Sequence, residues 1–211
     1  MARDLKLAKP YDNDFYEVMS KVCRDLFEEF SAEFAYSFSD EISLLLNIVP
    51  FEGRIEKINS VMASFAASSF VMHYNMKFKK PPSFDSRIIP ITDEDILGYF
   101  KWRQDESWRN CVNSHGIAYL KSKYPNTEAN DKINGMKLSD IHEFLFENGI
   151  NLNDVETYKK RGIAVYRKNK KVVGFNKKEN KNQTSYRSYL YTDWELPIFS
   201  EKFFNEIQVI K

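Results

Sequence analysis

The chain has 211 residues, of which 43% are hydrophobic and 15% aromatic, so its composition excludes a disordered protein and fits one domain with a sizeable core. Its net charge is +1, and no apolar run reaches the ~18–20 residues of a transmembrane helix, so no membrane partner is expected. Because residues 1–6 lack the apolar centre of a secretory signal, and Cys23 and Cys111 lack zinc-ligand spacing, we expect a cytoplasmic protein with reduced thiols.

The first predicted elements are a helix, a hairpin and a second helix. In residues 11–30 the apolar side chains recur every three or four positions, which predicts an amphipathic helix. Two strand-like runs, 34–38 and 42–46, flank the stretch Ser39-Asp40-Glu41 and predict a β-hairpin with carboxylates at its corner. Residues 54–74 predict a second long helix.

The middle of the chain predicts a strand, a third helix and a loop. Residues 84–91 are typical of a strand. Residues 92–95 have the spacing of a capping box, and the helix that they open is predicted to run to about His115, where Gly116 interrupts it. The polar segment 125–134 predicts a loop.

The last third predicts a short helix, a second hairpin and a final helical turn. The helix is expected over residues 138–148, and the hairpin from the short apolar runs 163–166 and 172–175 on either side of a polar turn. Residues 176–184 are expected to be mobile, and residues 201–207 to form one or two helical turns. Helices interleaved with antiparallel hairpins indicate an α+β fold.

Two charged features of the sequence suggest a function. An aspartate at a strand end, such as Asp40, can hold a divalent cation while bound phosphates supply the other ligands. Carboxylates are also common in solvated turns, so the corner alone leaves both readings open. Residues 159–187 contain eleven Lys or Arg and one acid, Glu179, which suits a polyanion such as RNA or a solvated basic loop.

Several short motifs occur in the order and at the spacing that are typical of a known protein family. They are Ala8-Lys9-Pro10 with Asp12; Ser39-Asp40-Glu41; Phe51-Glu52-Gly53-Arg54 with Lys57; Ala63-Ser64 and Ala67-Ser68-Ser69; Phe84-Asp85-Ser86-Arg87; Trp102-Arg103-Gln104; and Arg161-Gly162. Together they resemble the tRNA(His) guanylyltransferase family, which includes archaeal and bacterial 3′–5′ polymerases. The stretch from Trp108 to Asn113 is more similar to the archaeal-type branch than to the eukaryotic one.

The resemblance implies a fold and an assembly. The fold would be a polymerase-palm-like antiparallel sheet packed with long helices, followed by a small C-terminal hairpin and basic region. Residues 1–135 would form the catalytic core, and residues 136–211 would add a helix, the basic hairpin and a tail to the same compact unit. Family members assemble as homotetramers, so the same is expected here.

The resemblance also implies a reaction. ATP would activate the 5′-monophosphate of a tRNA or tRNA-like RNA, and the 3′-hydroxyl of GTP would attack the activated end. Later removal of pyrophosphate would complete the addition. Two magnesium ions would carry much of the charge neutralisation.

Residue roles follow from the matching motifs. Asp40 would bind magnesium, and Glu41 would belong to the same metal or nucleotide shell. Residues expected to contact the nucleotide phosphates are Lys9, Ser39, Arg54 and Lys57. Residues expected to contact the RNA, together with the basic stretch to Arg187, are Arg87, Asn110, Asn113, Lys159, Lys160 and Arg161. The alternatives are an exposed basic stripe for Arg54 and Lys57, and core hydrogen bonding for the two asparagines.

One departure from the family pattern concerns the second carboxylate. Family members begin with a strand that carries Asp-Gly-Arg, whose Asp binds both metal ions. This sequence begins eight residues before Lys9 and contains no Asp-Gly-Arg, so either it starts late or it is a shortened form. As written, it would lack the first palm strand, with weaker ion binding and catalysis. The alternatives to an enzyme of this family are a non-catalytic RNA-binding module and a different palm-type nucleotidyltransferase or cyclase.

Overall fold

The computed structural model describes residues 7–74, 78, 80–176 and 180–209. The helices and strands follow one another in this order: α1 (Asn13–Glu29), β1 (Phe34–Phe38), β2 (Glu41–Leu45), α2 (Ile55–His73), α3 (Ile96–Lys123), α4 (Asn126–Ile133), α5 (Leu138–Glu147), α6 (Thr157–Arg161), β3 (Ile163–Asn176), β4 (Lys181–Asp193) and α7 (Glu201–Glu206). Single turns of 3₁₀-helix lie at Pro50–Gly53, Asp93–Asp95 and Leu152–Asp154.

The four strands form one antiparallel sheet in the order β2-β1-β3-β4. Strand β1 pairs with β3 only as far as Tyr166, which lies opposite Phe34. Strands β3 and β4 continue to pair beyond that point, from Arg167 opposite Leu190 to Asn176 opposite Lys181. This two-stranded extension, residues 167–176 and 181–190, is called the ribbon below.

The core lies on both faces of the sheet. On one face an aromatic cluster joins β1 to α3 and the C-terminal tail; its fully buried rings include Phe34, Tyr36, Phe100, Phe199 and Phe204. On the other face α1 packs on the sheet through Cys23 and Phe27, and α2 packs on α1. The C-terminal half of α3 carries a separate cluster with α5. This arrangement is the α+β fold that the sequence predicted.

The elements with clear periodicity lie where they were predicted. Helix α1 begins after Asp12, whose Oδ1 accepts a hydrogen bond from the Phe15 backbone amide at 3.0 Å. The first hairpin, α2, α5 and α7 also agree with prediction. The capping box before α3 is present, because Thr92 Oγ1 donates to Asp95 Oδ2 at 2.7 Å.

Three predictions for the middle of the chain were wrong. Residues 84–91 form an extended segment and no strand, since they have no pairing partner and Pro90 lacks a backbone donor. Residues 126–133 form α4 instead of a loop, held to the core by the buried Ala129. Helix α3 also continues through Gly116 instead of ending there. A Cβ at this position would lie 2.7 Å from Ile141 Cγ2, so the glycine allows α5 to pack closely against α3.

The second hairpin was predicted with the wrong strands. The runs 163–166 and 172–175 belong to the single strand β3. The polar residues between them continue the strand, and they can do so because the ribbon exposes their side chains to solvent. Of the segment 176–184 that was expected to be mobile, residues 181–184 lie in β4, and residues 177–179 lie outside the described residues. In the described part of the chain, no helix has the length and apolarity needed to cross a membrane.

Candidate functional site

The acidic corner lies in the turn between β1 and β2. Ser39 has a left-handed backbone with φ of 51°, which a two-residue hairpin turn requires. Its hydroxyl donates a hydrogen bond to Asp40 Oδ1 at 3.2 Å, so the side chains of Ser39 and Asp40 meet. Below the turn, Ser37 Oγ donates to the backbone oxygen of Glu41 at 2.9 Å and closes the end of the hairpin.

The two carboxylates of the corner have different environments. Glu41 Oε2 accepts a hydrogen bond from Nη2 of Arg103, whose side chain is only 8% exposed. The guanidinium carbon of Arg103 lies 5.0 Å from the ring centre of Phe38 and 4.7 Å from that of Trp102. Arg103 therefore balances the charge of Glu41, whereas among the described residues Asp40 has no cationic partner.

The Arg161-Gly162 motif supports the hairpin from the side. The hydroxyl of Tyr36 donates to the backbone oxygen of Arg161 at 2.8 Å. Gly162 has a φ of +73°, and a Cβ on it would lie 2.6 Å from the backbone oxygen of Ser37. Only glycine fits this approach, which brings β3 against β1 two residues before the turn.

Buried phenols and a histidine lie behind the corner. Burial raises the pKa of Tyr16, and a hydrogen bond from the Ser39 backbone partly opposes that rise. Deeper in the fold, burial raises the pKa of the Cys111 thiol to about 11. Burial also lowers the pKa of His115, whose Nδ1 lies 2.9 Å from the Cys111 backbone oxygen and whose ring lies 5.5 Å from that of Tyr11.

The predicted phosphate-binding residues fall into two groups. Arg54 directly precedes α2, and its Nε donates to the Phe51 backbone oxygen at 3.2 Å, while Lys57 Nζ lies 5.0 Å from the Phe51 ring centre. The structure thus brings Arg54 and Lys57 together around one turn. Lys9 is exposed in the segment before α1. In the described part of the chain, no hydrogen bond or ion pair joins these three residues to Asp40.

The residues predicted to contact RNA are mostly engaged within the fold. Asn110 Oδ1 accepts from Ser114 Oγ at 3.2 Å, and Asn113 Nδ2 donates to the Arg109 backbone oxygen at 2.9 Å, so both amides bond within α3. Asn113 is exposed and Asn110 half-buried, so these bonds lie on the surface of α3 and not in the core, where the alternative prediction had placed them.

The cations of α6 also have partners. Lys159 pairs with Glu156 at 3.1 Å, and Lys160 Nζ donates to the Asn153 backbone oxygen at 2.8 Å. Arg161 Nη1 donates to the Leu196 backbone oxygen at 3.1 Å. Arg87, in contrast, is exposed in the extended segment before α3.

Sequence reasoning missed three residues that shape the corner. Tyr36 lies in β1 itself, whereas Tyr16 comes from α1 and Arg103 from α3, and Arg103 pairs with Glu41 across 62 residues. Arg103 belongs to a motif that carried the family resemblance, but it had no role assigned. A charged residue between apolar positions of a helix was the available signal, since buried arginines are usually paired.

The side chains at the corner can bind a metal ion only if a bound polyphosphate supplies further ligands. Within the described residues, no group of three His, Cys, Asp or Glu side chains could enclose a metal ion. Mg²⁺ is commonly bound by one or two carboxylates, with substrate phosphates and water completing the shell. Asp40 can supply one such carboxylate, so the corner fits magnesium that arrives with a polyphosphate.

Known proteins resemble this chain over the region that contains the corner. The family model Thg1, tRNAHis guanylyltransferase, matches residues 1–92. A tRNA(His) guanylyltransferase of Schizosaccharomyces pombe is 33% identical over 169 residues, which cover 74% of this chain and 65% of that protein. A tRNA(His) guanylyltransferase 2 of Arabidopsis thaliana is 31% identical over 170 residues, which cover 75% of this chain and 32% of that protein. The chain thus spans less than two thirds of either relative.

A solved structure resembles the whole chain. It is a bacterial tRNA(HIS) guanylyltransferase (Thg1)-like protein in complex with ATP, with a TM-score of 0.75 and 25% sequence identity. The match covers 100% of this chain and 85% of that one. A bacterial Thg1-like protein in complex with GTP matches with a TM-score of 0.70 and 26% identity, over 99% of this chain and 84% of that one.

Proposed function

Because this chain belongs to the tRNA(His) guanylyltransferase family, we propose that it is a nucleotidyltransferase that adds guanosine, or another nucleotide, to the 5′ end of tRNA in the 3′–5′ direction. The observation that carries this proposal is the carboxylate of Asp40, which has no cationic partner among the described residues and lies at the corner of a hairpin within the matched region. The bacterial neighbours in complex with ATP and with GTP support nucleoside triphosphates as substrates.

The proposed chemistry has two steps in which phosphorus bonds exchange. An oxygen of the RNA 5′-monophosphate attacks the α-phosphorus of ATP and releases pyrophosphate. The 3′-hydroxyl oxygen of GTP then attacks the 5′-phosphorus of the RNA, loses its proton and displaces AMP. Such transfer depends mainly on positioning and on neutralising phosphate charge.

The corner would serve the nucleotide in this scheme. Asp40 would hold magnesium, in the family's scheme two ions, together with the triphosphate, and the bound metal would neutralise charge on the phosphate oxygens. Ser39 would donate to a phosphate oxygen, and Lys9 and the pair Arg54 and Lys57 would contact the rest of the triphosphate. Glu41, paired with Arg103, would act by fixing the corner in place.

The RNA would lie toward the segments that follow the corner. Arg87 is exposed and free to reach a phosphate, whereas Asn110 and Asn113 would have to exchange a bond within α3 for one to the RNA. Lys159, Lys160 and Arg161 keep bonds within the fold, so we assign them to the edge of the RNA site. The family resemblance also proposes a homotetramer, which sedimentation would measure.

The direct test is nucleotide addition. 5′-Monophosphorylated tRNA is incubated with ATP, labelled GTP and magnesium, and labelled product is resolved on a gel. We expect Asp40→Asn to abolish addition and Asp131→Asn, a surface carboxylate on α4, to leave it unchanged. The assay is run on the chain as written and on a version preceded by an Asp-Gly-Arg strand. Absence of addition by both would contradict the proposal.

The second candidate is a non-catalytic RNA-binding module. The ribbon favours it, because its described residues include six Lys or Arg and no acid. This function predicts salt-dependent binding of tRNA without nucleotide addition by either version of the chain.

A further inference from the structure

The ribbon contacts the helices at its base, where the guanidinium carbon of Arg167 lies 5.8 Å from the ring centre of Phe27 and Leu190 packs against the core. Its outer part projects beyond the sheet. A lone two-stranded hairpin is only marginally stable in water, and this one extends beyond the last residue that pairs with β1. Large side chains stand exposed along it, including Tyr186 at 70%, Val173 at 61% and Phe175 at 59%. These features mark the ribbon as a binding surface.

The charge of the ribbon selects the class of partner. In residues 167–176 and 181–190 there are six cations and no acid: Arg167, Lys168, Lys170, Lys171, Lys181 and Arg187. A symmetric contact with a second ribbon would bring two such sets of cations together, which like-charge repulsion opposes. A polyanion meets no such barrier and releases counterions when it binds.

The strand register divides the ribbon into two faces. Directly opposed residues share a face, and so do residues two apart along a strand. One face, called the tyrosine face, therefore carries the pairs Lys168 with Tyr189 and Lys170 with Arg187. The opposite face carries Arg167 and Lys171 with the apolar side chains described above.

Lys170 and Arg187 are like charges that lie directly opposite each other on the two strands of the ribbon. Like charges directly opposite each other on an antiparallel pair are destabilising. Nearby, Lys168 is accommodated differently, since its Nζ lies 3.4 Å from the ring centre of Tyr191. An anion between Lys170 and Arg187 would turn the repulsion into two attractions. Tyr189, directly opposite Lys168 and 43% exposed, offers a ring for stacking beside that anion.

We propose that the tyrosine face binds the RNA substrate, with Lys170 and Arg187 sharing a phosphate of its backbone and Tyr189 stacking on an unpaired base. The inference rests on the proposed function, because it takes tRNA as the polyanion. It moves the main backbone contact from the α6 cations, which are engaged within the fold, to the exposed ribbon. Stacking of single-stranded bases on aromatic side chains is a common mode of RNA recognition.

The test compares neighbouring lysines on opposite faces. The full chain and its variants Lys170→Thr and Lys171→Thr are titrated with tRNA across a salt series. We expect Lys170→Thr to weaken binding about 5-fold at low salt and to reduce the slope of log K against log salt by up to about 0.7–0.9, the value of one phosphate contact, because Arg187 keeps part of the shared contact. Lys171→Thr, with the same loss of charge, should leave the slope unchanged.

A second readout separates a binding role from a structural one. Without RNA, Lys170→Thr and Arg187→Thr should each raise the melting temperature by about 1–3 °C, because each removes the repulsion and adds a β-branched residue. Replacement of a residue that merely supports the ribbon would lower the melting temperature instead. Equal loss of tRNA affinity in Lys170→Thr and Lys171→Thr would overturn the assignment of the face.

The remaining outcomes separate this inference from the proposed function. Absence of salt-dependent tRNA binding by the unmodified chain would overturn the inference. So would a result in which Lys170→Thr changes the oligomeric mass of the protein, measured by sedimentation, but does not change its binding of tRNA. Nucleotide addition together with normal binding by Lys170→Thr would sink the inference and leave the proposed function standing. Binding through the tyrosine face without any nucleotide addition would do the reverse.

Discussion

Arg103 donates a hydrogen bond from Nη2 to Oε2 of Glu41, and so joins the N-terminal half of α3 to the first residue of β2. The pair sets the two neighbouring carboxylates of the corner apart: Glu41 has a cationic partner, and Asp40 has none among the described residues. An acidic pair in the sequence thus becomes one structural and one available carboxylate.

Replacement of Arg103 should impair the reaction more than the fold. We expect Arg103→Met to lower kcat for nucleotide addition by about 10- to 100-fold, because loss of the ion pair lets the corner shift. Glu41 is 58% exposed, so the cost in unfolding free energy should be only about 1 kcal/mol. Arg109→Met is the control, since Arg109 forms an exposed pair with Glu106 on the same helix. Similar activity in both variants would refute this role.

Gly162 should tolerate no side chain. We expect Gly162→Ala to lower the free energy of unfolding by more than about 2 kcal/mol, since the left-handed backbone and the contact with Ser37 both oppose a Cβ. The control is Gly174→Ala in the ribbon, where nothing lies within 4 Å of the added carbon; its effect should stay within about 0.5 kcal/mol. Urea unfolding measures both, and equal stability of the two variants would exclude a close approach at Gly162.

His115 should make the fold less stable in acid. Burial lowers its pKa in the native state, so below about pH 6.5, the ordinary value, the unfolded chain binds more protons than the native one. This contribution to stability is therefore present above that pH and is lost as the pH falls toward the native pKa. His115→Gln should reduce the loss of stability between pH 7.5 and pH 5.5, measured by urea unfolding. An unchanged pH dependence would show that His115 is not the group responsible.

The groups that face His115 define what this experiment isolates. Among the described residues they include Tyr11 at its ring, the backbone oxygen and the thiol of Cys111, whose Sγ lies 3.7 Å from Nδ1, and the opposing charges of Lys159 and Glu156. Lys159 disfavours the protonated imidazole and Glu156 favours it, so Glu156→Gln should steepen the acid dependence.

Both thiols should be inert in the native protein. Cys23 and Cys111 are fully buried, and burial raises the pKa of both, that of Cys111 to about 11. Since the thiolate is the reactive species, a disulfide reagent at pH 8 should react with neither cysteine in the folded chain and with both in denaturant. Rapid reaction of one thiol without denaturant would reveal local opening around it.

The sequence predicted best those features that local patterning determines. Helix α1 has a cap and a regular apolar stripe, and the first hairpin has two apolar runs around a polar turn, so both could be located. The ribbon could not, because its strand residues are solvated on both faces and alternate in no regular way. Helix α4 was missed for a similar reason, since only Ala129 of its eight residues is buried.

The corner was predicted only in part. Asp40 and Ser39 are adjacent in sequence, and their meeting required no tertiary information. The ion pair of Glu41 and the close approach of Gly162 depend on how helices and strands pack, which no local pattern encodes. A family resemblance supplied the importance of these motifs, and the structure supplied the contacts that explain them.

The hydrogen bond between Tyr36 and Arg161 joins residues 125 positions apart. Gln104 forms hydrogen bonds with the backbone of Pro197 and of Phe199, which are 93 and 95 positions away. During translation the hairpin with Asp40 therefore leaves the ribosome long before the segments that hold it. A nascent chain released before Phe199 cannot complete the aromatic core, so folding of the corner waits for the late segments. Premature termination anywhere in the last strands should yield an aggregation-prone intermediate, with the acidic corner already synthesised but without its support.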